Sequence, residues 1–307
     1  MGARRLTSDA AAAGLARVVV RGPAGRTVVR VGRRSGEVAT VLLHGAAGTW
    51  TTWTPLLATA ARRGAPLEDA VVPDLPGWGE STGASEHLDV LADRVAEAVR
   101  ALGYERWRII GHSLGGALAL EIAARHPDET LSVGLVSPSG AAVQAVAQHP
   151  VRSAPRLPWF AGMILAMRLL RALGAFASPL LRALRRSGLL RRLARPLFAE
   201  PERVHRSVTD ALADEIRPTA FLAAVAAARG LDPAVWRSIR CPVHAVRGAH
   251  DVFVGRGDLV ALRAHVPQTG ESVLARAGHF AHVEDPEAVL AALSGVIPRP
   301  RTLALSL

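Results

Sequence analysis

One stretch limits the possible folds more than any other. In "RWRIIGHSLGGALALEIAARHP", residues 106–127, an apolar run ends on a serine fenced by glycines, and a small-residue helical pattern begins at once. A strand that passes straight into a helix through Gly111-His112-Ser113-Leu114-Gly115 belongs to an α/β sheet. Glycine two residues either side of the serine suits a sharp, crowded turn, where backbone passes close and the serine itself is strained. The turn lifts the hydroxyl above the carboxyl edge of the sheet, where open α/β sheets bind ligands. It also aims the first amides of the next helix at the same point.

The rest of the chain repeats this alternation. "EVATVLLHG", "EDAVVPDLPG", "WRIIGHS" and "LSVGLVSPS" are apolar runs of the fully buried kind, separated by helical patterns over 52–63, 88–102 and 115–125. Before them, "ARVVVRG" and "RTVVRVG" around Gly22, Pro23 and Gly25 predict an antiparallel hairpin. Such alternation implies a mostly parallel sheet covered on both faces. It halts near Gly140. From there to about Ser238, Leu, Ala and Arg dominate, and repeated prolines cut the pattern into short helices. Strand and helix resume at "CPVHAVRG", continue through "ESVLARAG" and close with a helix over 286–293. The chain therefore divides into a first part of the core (1–140), a helical insertion (141–238) and a second part of the core (239–307). The last ends in a loose tail, "PRPRTLALSL".

A chain of 307 residues, half of them apolar, can bury a full core. Its single cysteine, Cys241, allows no intramolecular disulfide, so nothing calls for an oxidising compartment. The N-terminus makes a poor signal peptide, with Asp9, Gly14 and Arg17 interrupting its alanine-rich stretch. The apolar stretch 157–167 is about half the length a membrane span needs. A soluble, cytoplasmic protein is expected. The net charge of +11 would ordinarily suggest nucleic acid or an acidic membrane. Every one of the 37 basic residues is arginine, however, which is more easily a coding bias than a binding adaptation, and no nucleic-acid partner is expected. The distribution of charge is uneven: no Asp or Glu occurs over 130–199, where ten arginines lie. In "PLLRALRRSGLLRRLARPLF" leucines and arginines separate at helical spacing, as on an amphipathic surface helix that could meet a membrane surface or an acidic protein.

A serine hydroxyl becomes a nucleophile only when a base takes its proton and a carboxylate orients that base. His279, in "ARAGHFAHVEDPE", follows the last strand and so returns to the carboxyl edge; His282 is its local competitor. Asp251, in "VHAVRGAHDVFV", lies just beyond another strand end, whereas Asp74, in "VVPDLPGWGES", has the surroundings of a loop brace. Acyl transfer also needs donors for a developing oxyanion. The Leu114 amide supplies one and the loop after "VLLHG" the other, at Ala46 or the neighbouring Ala47. No metal-ligand spacing, phosphate loop or dinucleotide fingerprint accompanies these residues, so neither metal nor cofactor is expected.

"LLHGAAG", "VVPDLPGWGES", "GHSLGG", "RGAHDVFV" and "AGHFAHVEDPE" resemble the successive signature segments of the α/β-hydrolase fold superfamily, of the kind with a helical cap after the sixth core strand. The resemblance covers 18–140 and 240–297. It implies Ser113 as nucleophile, Asp251 as acid and His279 as base, with the Ala46 and Leu114 amides as oxyanion hole. Dehalogenases and soluble epoxide hydrolases of this superfamily attack with aspartate at that position, so the serine points instead to esterases, lipases, lactonases, thioesterases, aminopeptidases or carbon–carbon bond hydrolases. The expectation is cleavage of an ester-like bond in a small, largely apolar molecule. The alternatives are hydrolysis of an acidic ring-fission product, or a ligand-binding or accessory protein on the same fold. Substrate contacts are assigned to His44, Trp50 and His112 near the nucleophile, and to Trp159 and Met163 in the insertion.

Overall fold

Strand periodicity sends alternate side chains to opposite faces, and the central strands of this protein use it to build two cores at once. In the computed structural model, which describes residues 5–23 and 25–297, eight strands form one sheet. They are β1 (Ala16–Gly22), β2 (Gly25–Val31), β3 (Val38–Leu43), β4 (Ala70–Pro73), β5 (Arg106–His112), β6 (Thr130–Val136), β7 (Val243–Gly248) and β8 (Gly270–Leu274). Their spatial order is β1-β2-β4-β3-β5-β6-β7-β8. The β1–β2 hairpin is antiparallel, as expected, and joins β4 antiparallel; every other pairing is parallel.

In the first part of the chain lie α1 (Thr54–Arg62), α2 (Leu88–Ala101) and α3 (Leu114–Arg125). Between β6 and β7 come seven helices: α4 (Ala141–Gln148), α5 (Pro150–Ser153), α6 (Pro158–Ala172), α7 (Ala177–Arg186), α8 (Leu189–Ala194), α9 (Arg206–Asp214) and α10 (Pro218–Arg229). Then follow α11 (Arg256–His265), α12 (Ala281–Glu284) and α13 (Pro286–Ala292). Prolines open α5, α6 and α10, where the missing N–H has no helical partner to lose.

On one face of the sheet Val41, Leu43, Ile109, Val133 and Leu135 pack with α2, α3 and α11. On the other, Leu42, Ile110, Val136 and Val246 pack with α1 and α13. Burial on both faces explains why these strands read as unbroken apolar runs. The tail at 298–307 lies outside the described residues.

Candidate active site

Ser113 joins β5 to α3 with φ 51° and ψ −117°, a left-handed conformation that costs a non-glycine residue on the order of 1–3 kcal/mol. The flanking glycines are required by contact. A Cβ on Gly111 would lie 2.2 Å from the Gly115 carbonyl oxygen, and one on Gly115 would lie 2.3 Å from that of Leu43. The turn is thus clamped between its own next turn and the end of β3.

His279 follows β8 and Asp251 follows β7. The His279 Nδ1–H donates to both carboxylate oxygens of Asp251, at 3.0 and 3.2 Å. In the neutral ring this leaves Nε2 as the acceptor. Asp251 Oδ1 also accepts from the Phe253 and Val254 amides, at 2.8 and 3.1 Å. Burial of the carboxylate acts to raise its pKa. The charge and hydrogen bond of His279, together with the Phe253 amide, outweigh that and hold Asp251 below the ordinary range. The Phe253 ring packs edge-on against His279, at 4.7 Å between centroids.

Ser113 and His279 border the same cavity, of about 510 Å³. Among the described residues the Ser113 hydroxyl meets the hydroxyl of Ser139 at 3.4 Å, and no hydrogen bond joins it to His279. Serine–histidine bonds of this kind are often long before substrate binds. Ala46, Ala47 and Leu114 also border the cavity. As the first residue of α3, Leu114 has an amide that no helical carbonyl can reach.

Of the residues assigned to substrate, Met163 borders the cavity and the other four do not. His44 is fully buried: its Nδ1–H donates to the Gly45 carbonyl at 2.8 Å and its Nε2 accepts from the Leu75 amide at 2.9 Å. Burial pushes its pKa down, so it braces the Ala46 loop as a neutral ring. Trp50 lies in the core under the guanidinium of Arg30, and its amide donates to Asp74. Asp74 also accepts from the Glu80 amide and is the loop brace its surroundings suggested. His112 is buried beneath the site, and its Nε2–H donates to the His279 carbonyl at 3.0 Å. It positions the histidine loop. Trp159 is 46 % exposed and lies outside the cavity lining. His282, the competitor to His279, is fully buried against the Trp53 ring, 4.5 Å between centroids.

Three features of the site went unread in the sequence. Ser139 reaches Ser113 twice, since its amide also donates to the Ser113 carbonyl at 2.9 Å; a serine just past the end of β6, the strand beside β5, was the available signal. Phe253 stands two residues after the expected acid. The third feature ties the insertion to the loop that carries His279. The His279 amide donates to the Leu197 carbonyl at 2.8 Å, while Glu284 accepts from the Gly278 and Ala199 amides, each at 2.7 Å.

The cavity lining is overwhelmingly apolar, drawn from α6 to α10 and the core beneath them. Its polar side chains are those of Ser113, Ser139, Gln144, Thr209 and His279, and no Asp, Glu, Lys or Arg is among the described residues that line it.

The sheet order, the strained serine turn after β5 and the succession of Ser113, Asp251 and His279 at the carboxyl edge define the α/β-hydrolase fold. The chain belongs to the alpha/beta hydrolase family, whose profile matches residues 40–292. Among curated proteins it is 39% identical over 118 residues to a dihydrolipoyllysine-residue acetyltransferase component of the acetoin cleaving system of Cupriavidus necator, covering 36% of this chain and 30% of that one. It is 33% identical over 108 residues to a fluoroacetate dehalogenase of a Burkholderia species, covering 32% of this chain and 33% of that one. The matches thus span a third or less of these relatives' length. Among solved structures, Cfl2 from Burkholderia cenocepacia superposes with a TM-score of 0.71 at 19% identity, over 97% of this chain and all of that one.

Proposed function

We propose that this protein is a serine hydrolase that cleaves an ester-like bond in a largely apolar molecule. The observation that carries the reading is that Ser113 and His279, the latter held by Asp251, open on one apolar cavity whose other polar side chains, among the described residues, are those of Ser139, Gln144 and Thr209. In the proposed reaction His279 Nε2 takes the Ser113 proton as Oγ attacks the substrate carbonyl carbon. The oxyanion that forms is met by the Ala46 and Leu114 amides. His279 then gives its proton to the departing alkoxide, leaving an acyl-Ser113 ester. Water, deprotonated by the same nitrogen, attacks the acyl carbon, and the proton returns to Ser113 as the acid departs. Asp251 stays ionised throughout and stabilises the imidazolium, a role favoured by its depressed pKa. The helices from α4 to α10 act as the cap that supplies the apolar walls.

The lack of a charged side chain in the described lining weighs against an acidic ring-fission product. A substrate carboxylate would be buried there without a cationic partner, at a cost of several kcal/mol. The test is intact-mass measurement after exposure to a fluorophosphonate probe, alongside Ser113→Ala and His279→Ala. A single adduct on the wild type, absent from both variants, supports the reading. A folded wild type that takes no adduct and hydrolyses no ester overturns it.

A further inference from the structure

The exposed apolar side chains of this protein are concentrated in one segment of the insertion. Among the described residues thirteen large apolar side chains are exposed, and nine of them lie between residues 151 and 193; the other four are all valines. Phe176, between α6 and α7, is 76 % exposed. Leu169, Leu173, Leu180 and Leu193 are exposed and also border the cavity, so the mouth of the cavity opens within this patch.

The same segment carries ten arginines and no acidic residue over 130–199. All ten are exposed. Among the described residues only Arg185, with Asp214, and Arg195, with Glu202, form ion pairs. The other eight have no protein anion beside them among the described residues. A second copy of this face is a poor occupant, because two arginine-rich surfaces would repel. A nucleic acid would meet the arginines but leave the exposed leucines and Phe176 without apolar partners.

An anionic bilayer satisfies both. Its phosphates match the arginines, and its acyl boundary takes the apolar side chains, as in helices that lie in the interface. The helix geometry agrees. Among the described residues no single helix is long and apolar enough to cross a membrane, and α6 and the segment Gly174–Arg186 are bent by 116° to each other. Lying flat, they place the leucine-ringed mouth against lipid.

We propose that this face of the insertion docks on anionic phospholipid bilayers and that the cavity takes its substrate from the lipid phase. The second clause rests on the proposed hydrolase reaction; the docking does not.

The test is sedimentation of the full chain with phosphatidylglycerol vesicles and with phosphatidylcholine vesicles, at low and high salt. Phe176→Asp and the double variant Arg186→Glu/Arg192→Glu are compared with the wild type. None of these residues borders the cavity. Wild type is expected to pellet with phosphatidylglycerol, to be released by salt and to bind phosphatidylcholine weakly. Each variant should bind about tenfold less or worse. Both should hydrolyse a soluble short-chain ester at the wild-type rate, yet lose turnover of an ester embedded in phosphatidylglycerol vesicles. Ser113→Ala should pellet like wild type, so docking is read independently of chemistry. A wild type that pellets but is inert would overturn the hydrolase reading and leave the docking standing. No pelleting with phosphatidylglycerol, or pelleting unchanged in both variants, would overturn the docking. So would a dimer in solution that Phe176→Asp dissolves, which would assign the patch to a second copy.

Discussion

Around Ser113 the polar groups are tied to one another, whereas in the insertion arginines and leucines face outward with few partners. Asp251 is engaged by a ring and two amides, His279 by a carboxylate and two backbone contacts, and His44 by a carbonyl and an amide. Over 151–193, by contrast, exposed leucines alternate with arginines of which, among the described residues, Arg185 alone forms an ion pair, along helices that touch the core mainly through Phe160, Ile164 and Met167. The contrast teaches where precision is needed. Bond-making groups must be held within a fraction of an ångström, while a surface that shapes a pocket and, as proposed, meets lipid needs only the right polarity on each side.

The contrast can be broken most severely at Ser113, the proposed nucleophile. Ser113→Ala is expected to lower kcat by about a million-fold, measured on an activated ester in a folded protein. Asp251→Asn should cost about ten-thousand-fold, since the amide no longer holds the Nδ1–H tautomer of His279. Gly115→Ala tests the clamp on the turn. Its new Cβ meets the Leu43 carbonyl at 2.3 Å, so backbone must shift, and a loss of about 2–4 kcal/mol in denaturant unfolding is expected.

A gentler probe is acid. His44, His112 and His282 are fully buried, and burial pushes all three pKa values down, that of His282 to about 3. The unfolded chain protonates each below about pH 6.5, the folded protein only at a lower pH. Stability is therefore full above that pH and falls as the pH drops toward the folded values, by about 1.4 kcal/mol per pH unit for each histidine. Asp251, depressed in the fold, adds its own loss only below the ordinary carboxylate pKa, as the pH falls through its folded value. His282→Leu should flatten the slope by one histidine's share, read from urea midpoints between pH 4 and pH 6. The smallest effect belongs to the insertion. Leu165→Glu, at a position 58 % exposed, should change stability by less than about 0.5 kcal/mol.

The sequence was most legible where local chemistry and backbone geometry coincide. Gly111 and Gly115 mark a turn because no side chain fits there, and Asp251 and His279 lie beyond strands whose ends can only reach one edge. Sequence neighbours of the site proved less readable. His44, Trp50 and His112 adjoin the right loops, yet the pleat of their strands and the packing of the loops turn them inward. Adjacency along the chain does not say which side of a sheet edge a ring takes. In the insertion the hydrophobic period identified helices, but not which leucines would face the cavity and which the solvent, since both sets share the same spacing.

The connection from β6 to β7 has a consequence for how such a protein can change over generations. Two parallel neighbours need a crossover of only about a dozen residues, and here roughly a hundred intervene. Most of that length is not demanded by the strand pairing, so inheritance can rewrite it with little effect on the reaction centre. Ser139, bonded to Ser113, and the strap at Leu197 and Ala199 are exceptions, the strap because its backbone is bonded to the loop that carries His279. Descendants of this chain should therefore vary more in the helices before that strap and keep the strap's own length, because an insertion or deletion there would move His279.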